Sequence, residues 1–179
     1  MHAMIGGCRL ELHQGDVTHE ATDTIVNAAN TRLQGGSGVD GAIHARGGPA
    51  IMEETDARYP EGCPTGSAVI SGAGELPAKF VIHAVGPVWR GGNQGEPALL
   101  ASAYRTCLEL AVKHGCESLA FPSLSTGAFG YPIDLASRTA LATVRDFLLQ
   151  EAKPARVRFV LFDAGAYGAF ARALEELTG

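Results

Sequence analysis

The chain has 179 residues, of which 46% are hydrophobic and 18% charged, with a net charge of −5. This suits one globular domain over residues 1–179 with a core that needs no staples, and it excludes a disordered chain. The acidic balance and the lack of a basic stripe argue against nucleic acid as a partner. They do not argue against a nucleotide, because backbone amides bind phosphate without Lys or Arg.

In chain order, residues 9–13 (RLELH) alternate as a strand does. Residues 23–27 (DTIVN) are short, apolar and β-branched, as a buried strand would be. A turn-rich stretch over 31–38 leads into helical spacing over 39–45. A second helix is predicted over 49–58, with Pro49 in its first turn. Strands are predicted over 67–71 and 79–84. A long amphipathic helix over 96–114 carries Leu99, Leu100, Ala103, Leu108 and Val112 at core spacings and stops at Gly115. Residues 118–122 (SLAFP) read as a buried strand, 123–131 as a loop and 133–149 as a helix. A last strand over 156–162 and a last helix over 165–177 close the chain. Strands and helices that interleave to the end predict a three-layer α/β/α sandwich around a mixed, mostly parallel sheet.

The four cysteines are irregularly spaced and include no CxxC pair, so neither a metal centre nor a disulfide framework is expected, and Cys107 reads as a small core residue. No basic segment followed by an apolar run opens the chain, and no stretch reaches ~18 uninterrupted apolar residues. The expected setting is therefore cytoplasmic, with no membrane partner.

Ligands of open α/β sheets sit beyond the carboxyl ends of the strands. Two glycine-rich loops fall there, 35–41 (GGSGVDG) and 123–130 (SLSTGAFG). Free backbone amides in such loops, with a helix starting directly after, form an anion site. Asp40 and His44 are four residues apart and share a helix face. A carboxylate beside a phosphate cradle suits a sugar-hydroxyl acceptor or a general base better than pure phosphate binding. The first loop also matches GxGxxG at Gly36, Gly38 and Gly41. A dinucleotide fingerprint would need an acidic residue ending a strand about 20 residues on, and the acids there, Glu53, Glu54 and Asp56, lie in a predicted helix. In the second loop Phe129 and Tyr131 offer apolar walls. Asn27 suits a strand-end cap of backbone groups at least as well as a ligand contact.

The motifs GDVTHEATDTIVNAANTRLQGGSGVDGAIHARGGP, TGSAVISGAGELPAKFVIHAVGP and LAFPSLSTGAFGYP occur in that order from Gly15 to Pro132. Together they resemble the macrodomain family, in its MacroD-type subgroup. The resemblance implies ADP-ribose in a cleft at the sheet edge, with no cofactor and no metal. It implies that Asp16 and Val17 meet adenine, and that Phe162 stacks on it. It implies that Gly38, Val39 and the run Ser125, Thr126, Gly127, Ala128 and Phe129 hold the diphosphate, with Asn27 near the ligand. Asn30, Asp40 and His44 take the catalytic positions around the distal ribose. The implied activity is a hydrolase that removes mono-ADP-ribose from acidic side chains, deacetylates O-acetyl-ADP-ribose, or both. The partners are then ADP-ribose, ADP-ribosylated proteins or O-acetyl-ADP-ribose. The alternative is a non-catalytic reader of ADP-ribosylated partners. Ser37 departs from the subgroup's unbroken glycine run, which is costly only if that position needs a positive φ.

Overall fold

A computed structural model describes all residues, 1–179. Its strands are β1 (His2–Ile5), β2 (Cys8–Gln14), β3 (Thr24–Ala28), β4 (Ala68–Gly72), β5 (Phe80–Ala84), β6 (Ser118–Phe121) and β7 (Arg156–Leu161). Its helices are α1 (Gly38–Gly47), α2 (Ala50–Arg58), α3 (Glu96–Lys113), α4 (Ile133–Glu151) and α5 (Ala164–Thr178). The strands form one sheet in the order β1-β2-β7-β6-β3-β5-β4. The five inner strands run parallel, and β1 and β4 pair antiparallel at the two edges. This is the expected mixed, mostly parallel α/β sandwich.

The period-two alternation of a strand sorts its side chains to two faces. Val26, Ile82, Leu119, Phe121, Phe159 and Leu161 enter the larger core, with the buried residues of α3, α4 and α5. Ile25, Val81, Ala120 and Val160 enter a smaller core with Ile43 of α1 and Ile51 of α2. Phe159 anchors the larger core, with ring centroids 5.2 Å from Phe121 and 5.1 Å from Phe170. Cys107 is fully buried in the same core. Tyr131 belongs there too: it is 2% exposed and packs on Trp89 at 4.6 Å, so it is not the cleft wall expected from sequence. No helix is long and apolar enough to cross a membrane.

Two elements were not expected. Strand β1 forms a hairpin with β2, and its two-residue turn is Gly6–Gly7, both with positive φ (59° and 81°). That turn twists as the flanking strands do, and Gly-Gly between short strands is its signature. A single 3-10 turn, Val17–His19, follows β2 and is capped by Asp16.

The loop between β5 and α3 is held by one carboxylate. Glu96 accepts backbone N–H bonds from Arg90 and Gly92 at 2.9 Å and from Gln94 at 2.6 Å. Burial raises its pKa, but these backbone donors outweigh burial and bring it from 4.5 down to about 2. A folded-state value below the unfolded one stabilises the fold above about pH 4.5, and that contribution is lost as pH falls toward 2. At pH 7, Glu96→Gln is expected to unfold at lower urea concentration than the parent. The gap between the two midpoints is expected to narrow as pH falls from 4.5.

Candidate active site

Parallel strands direct their carboxyl ends the same way, and here the loops leaving five of them line one cleft. In sheet order they bring Asp16 after β2, Phe162 after β7, Ser123–Phe129 after β6, Asn30 and 36–40 after β3, and Gly86 after β5. The cleft has two compartments. One, of about 700 Å³, is lined by Asp16, Val17, Phe162, Asp163 and Ala166 among others. The other, of about 300 Å³, is lined by Asn30, Asp40, Gly86, Ser125 and Phe129 among others. Gly38, Val39, Ser123 and Gly127 line both and form the waist between them.

In the larger compartment, Asp16 Oδ1 accepts bonds from the Thr18 backbone at 2.9 Å and hydroxyl at 2.7 Å. Its Oδ2 has only His19 Nε2, at 3.8 Å, and stays available. Partial burial raises the Asp16 pKa, but the Thr18 bonds with His19 and Arg46 outweigh it and leave the pKa lowered. Asp16 is therefore ionised at neutral pH. Phe162 follows the last residue of β7 and is 80% exposed. An aromatic ring left that open against a cavity is not core; its flat face is free to meet a planar group.

The waist supplies backbone donors from both sides. The first three amides of α1, those of Gly38, Val39 and Asp40, have no intrahelical acceptor, and the helix dipole adds positive potential there. Across the waist, none of the amides of residues 125–129 donates to a backbone carbonyl. Ser37 is extended at φ −98° and the positive φ falls on Gly38 at 61°, so serine at 37 brings no strain. Ser125, by contrast, holds φ 67°, a conformation that costs a non-glycine residue on the order of 1–3 kcal/mol. Its buried Oγ has no partner in the protein. A methyl group at Gly86 would overlap that Oγ, so glycine is what lets the second loop close onto the end of β5.

The smaller compartment ends at Asp40, which is 6% exposed. Its Oδ1 accepts a 2.8 Å bond from Asn27 Nδ2 and lies 3.3 Å from His44 Nε2. Asn30 lines this compartment and also folds its own loop: its Oδ1 accepts from the backbone N–H groups of Arg32 and Gln34, and its Nδ2 donates to Gln34 O.

Two expected site residues do not reach the cleft. Asn27 is 0% exposed and lies behind Asp40, where it binds side chains and caps no backbone group. His44 lines neither compartment and supports Asp40 from within α1. His83, which belongs to neither glycine-rich loop, lies in the same buried cluster. Its Nδ1 is 3.1 Å from Asn27 Nδ2 and its Nε2 is 2.8 Å from Ser71 Oγ. A signal for it existed. On β3 and β5 the residues two places after Ile25 and Val81 should be apolar, and each is polar. The register pairs those two directly, Asn27 with His83.

Comparison with known proteins agrees with this fold. A macro domain family model matches residues 26–140. A macro domain-containing protein of Caldanaerobacter subterraneus subsp. tengcongensis is 52% identical over 94% of this chain and 97% of its own. An O-acetyl-ADP-ribose deacetylase of Salmonella typhimurium is 50% identical over 94% and 95%. Among solved structures, an Oceanobacillus iheyensis macrodomain with ADP superposes with a TM-score of 0.94 at 40% identity, covering 99% of this chain and 96% of that one. A Trypanosoma brucei macrodomain in complex with ADP-ribose superposes with a TM-score of 0.85 at 40% identity, covering 92% and 68%. With a family model over more than half its length and relatives at half identity over nearly all of it, the chain belongs to the macro domain family.

Proposed function

We propose that this protein binds ADP-ribose along the cleft and hydrolyses esters of its distal ribose. Its substrates are O-acetyl-ADP-ribose and mono-ADP-ribose on acidic side chains. The observation that carries this reading is the Asp40 carboxylate. One oxygen is anchored inside the protein, and the residue itself lines the compartment beyond an anion-binding waist. Three similar proteins support the ligand class: a deacetylase of O-acetyl-ADP-ribose, a macrodomain with ADP and a macrodomain in complex with ADP-ribose.

In this reading adenine lies on Phe162 with its amino group donating to Asp16 Oδ2. The diphosphate accepts from the amides of Gly38, Val39 and the second loop. The Ser125 hydroxyl, strained and unpartnered, turns to a phosphate oxygen. The distal ribose then reaches Asn30 and Asp40. Asp40 Oδ2 takes a proton from a water as that water attacks the ester carbonyl. The carbonyl-to-ribose oxygen bond breaks, the ribose oxygen recovers a proton, and a free carboxylic acid leaves beside ADP-ribose.

Incubation with O-acetyl-ADP-ribose, and separately with a glutamate-linked ADP-ribosylated protein, tests the activity through release of acetate and of ADP-ribose. A parent protein that binds ADP-ribose but releases neither is a reader of the modification, not a hydrolase. Asp40→Ala is expected to lower single-turnover release by about 10²–10⁴, the usual contribution of a general acid–base group, while ADP-ribose still binds. Undiminished turnover would remove Asp40 from the chemistry.

Asp16→Ala should weaken ADP-ribose by about 1.5–3 kcal/mol, the range for a hydrogen bond to a charged group. Ribose 5-phosphate, which lacks adenine, should be unaffected; calorimetry with both ligands decides it. Phe162→Ala should cost about 1–3 kcal/mol of ADP-ribose affinity from lost stacking. Because the ring is 80% exposed, the thermal midpoint should hold. A collapse in stability instead would make Phe162 a packing residue.

A further inference from the structure

The buried polar cluster behind Asp40 has a direction. The Asn27 amide nitrogen carries two protons; one goes to Asp40 Oδ1 at 2.8 Å and the other points to His83 Nδ1 at 3.1 Å. The reverse amide orientation would set the Asn27 oxygen against a carboxylate. His83 Nδ1 therefore accepts, its proton sits on Nε2, and Nε2–H donates to Ser71 Oγ at 2.8 Å. The Ser71 hydroxyl hands its own proton to Gly72 O at 2.9 Å. Every donor in this line has an acceptor, from β4 through β5 and β3 to α1. His83 is 1% exposed, and burial, with His44 adding to it, lowers its pKa to about 4 despite Asp40 and Glu54. The ring is neutral at neutral pH, as an accepting Nδ1 requires.

We infer that His83 is a positioning residue for hydrolysis: its Nδ1 fixes the Asn27 amide, which holds Asp40 by Oδ1 and leaves Oδ2 for the cleft. Asp40 and His83 Nδ1 both select the nitrogen end of the amide, and its oxygen has no partner in the protein. Without His83 the amide is held at Asp40 alone, so amide and carboxylate can turn together and the direction of Oδ2 is no longer fixed. The carboxylate then has only His44, at 3.3 Å, as a second contact. This role rests on Asp40 acting in the chemistry.

Substitution chemistry separates positioning from packing. Asparagine at 83 presents an oxygen near the position of the imidazole Nδ1, and glutamine presents its polar end near Nε2. His83→Asn thus keeps the acceptor for Asn27 and loses Ser71, while His83→Gln does the reverse. Asparagine also removes more volume, so His83→Asn should have the lower thermal midpoint. The expected order in turnover is the opposite. His83→Gln should lower single-turnover release of ADP-ribose by about 10²-fold, the cost of a small misplacement of a catalytic group. His83→Asn should retain more turnover than His83→Gln, and both should bind ADP-ribose as the parent does. In an Asp40→Ala background, His83→Gln should cost little more, because both changes remove the same contribution.

Turnover that follows the stability order, glutamine above asparagine, overturns the inference and makes His83 a packing residue. A full additional loss in the Asp40→Ala background also overturns it, since His83 would then act by another route. Failure of the underlying reading has a different signature, undiminished turnover of Asp40→Ala itself with His83 intact.

Discussion

The hydrogen bond from Asn27 to Asp40 joins the carboxyl end of a central strand to the first turn of a helix. The rest of the site depends on that join. It sets the start of α1 beside the end of β3, so the three free amides of the helix meet the loop leaving the neighbouring strand β6. It also commits one oxygen of a buried carboxylate. A charge 6% exposed is tolerable only when polar partners replace its lost water, and Asn27 and His44 do so. The same contact therefore satisfies one carboxylate oxygen, ties the helix to the strand and leaves the other oxygen uncommitted.

A conflict is built into this arrangement. The N-terminus of α1 favours negative charge, and Asp40 lies in its first turn. A diphosphate at the waist competes for the same positive potential and repels Asp40. Binding alone would be better without the carboxylate. Under the proposed function, its buried, hydrogen-bonded place in the cleft is accounted for by reactivity rather than by binding. Ser125 repeats the pattern on the other loop, where a strained backbone and an unpartnered hydroxyl are kept at the cleft wall.

Local chemistry made much of this legible in the sequence. The interleaved strands and helices, the two glycine-rich loops and the Asp40–His44 spacing all follow from short-range rules, and the structure has them. The departures lie where long-range pairing decides. Strand β1 is only four residues, exposes Met4 at 63% and exists because β2 lies beside it. Tyr131 and Phe162 look alike in sequence, each an aromatic at the edge of a loop. One packs on Trp89 in the core, and the other follows the end of a strand and stays exposed. Asn27 and His83 lie 56 residues apart, and only the β3–β5 register makes them partners.

That register also explains why the polar pair is tolerated in the sheet. Each residue puts a buried polar group into an inner strand, and either one alone would leave a buried amide or imidazole without its partner, at about 1–3 kcal/mol. Together, with Ser71 on one side and Asp40 on the other, they satisfy the amide nitrogen and both ring nitrogens and polarise one another across a low-dielectric interior, leaving only Asn27 Oδ1 without a partner. The cluster sits beneath the carboxyl ends of the strands, and of its members only Asp40 lines the cleft. Neither of the two apolar clusters includes these polar residues, and their hydrogen bonds lead instead to the Asp40 carboxylate at the cleft.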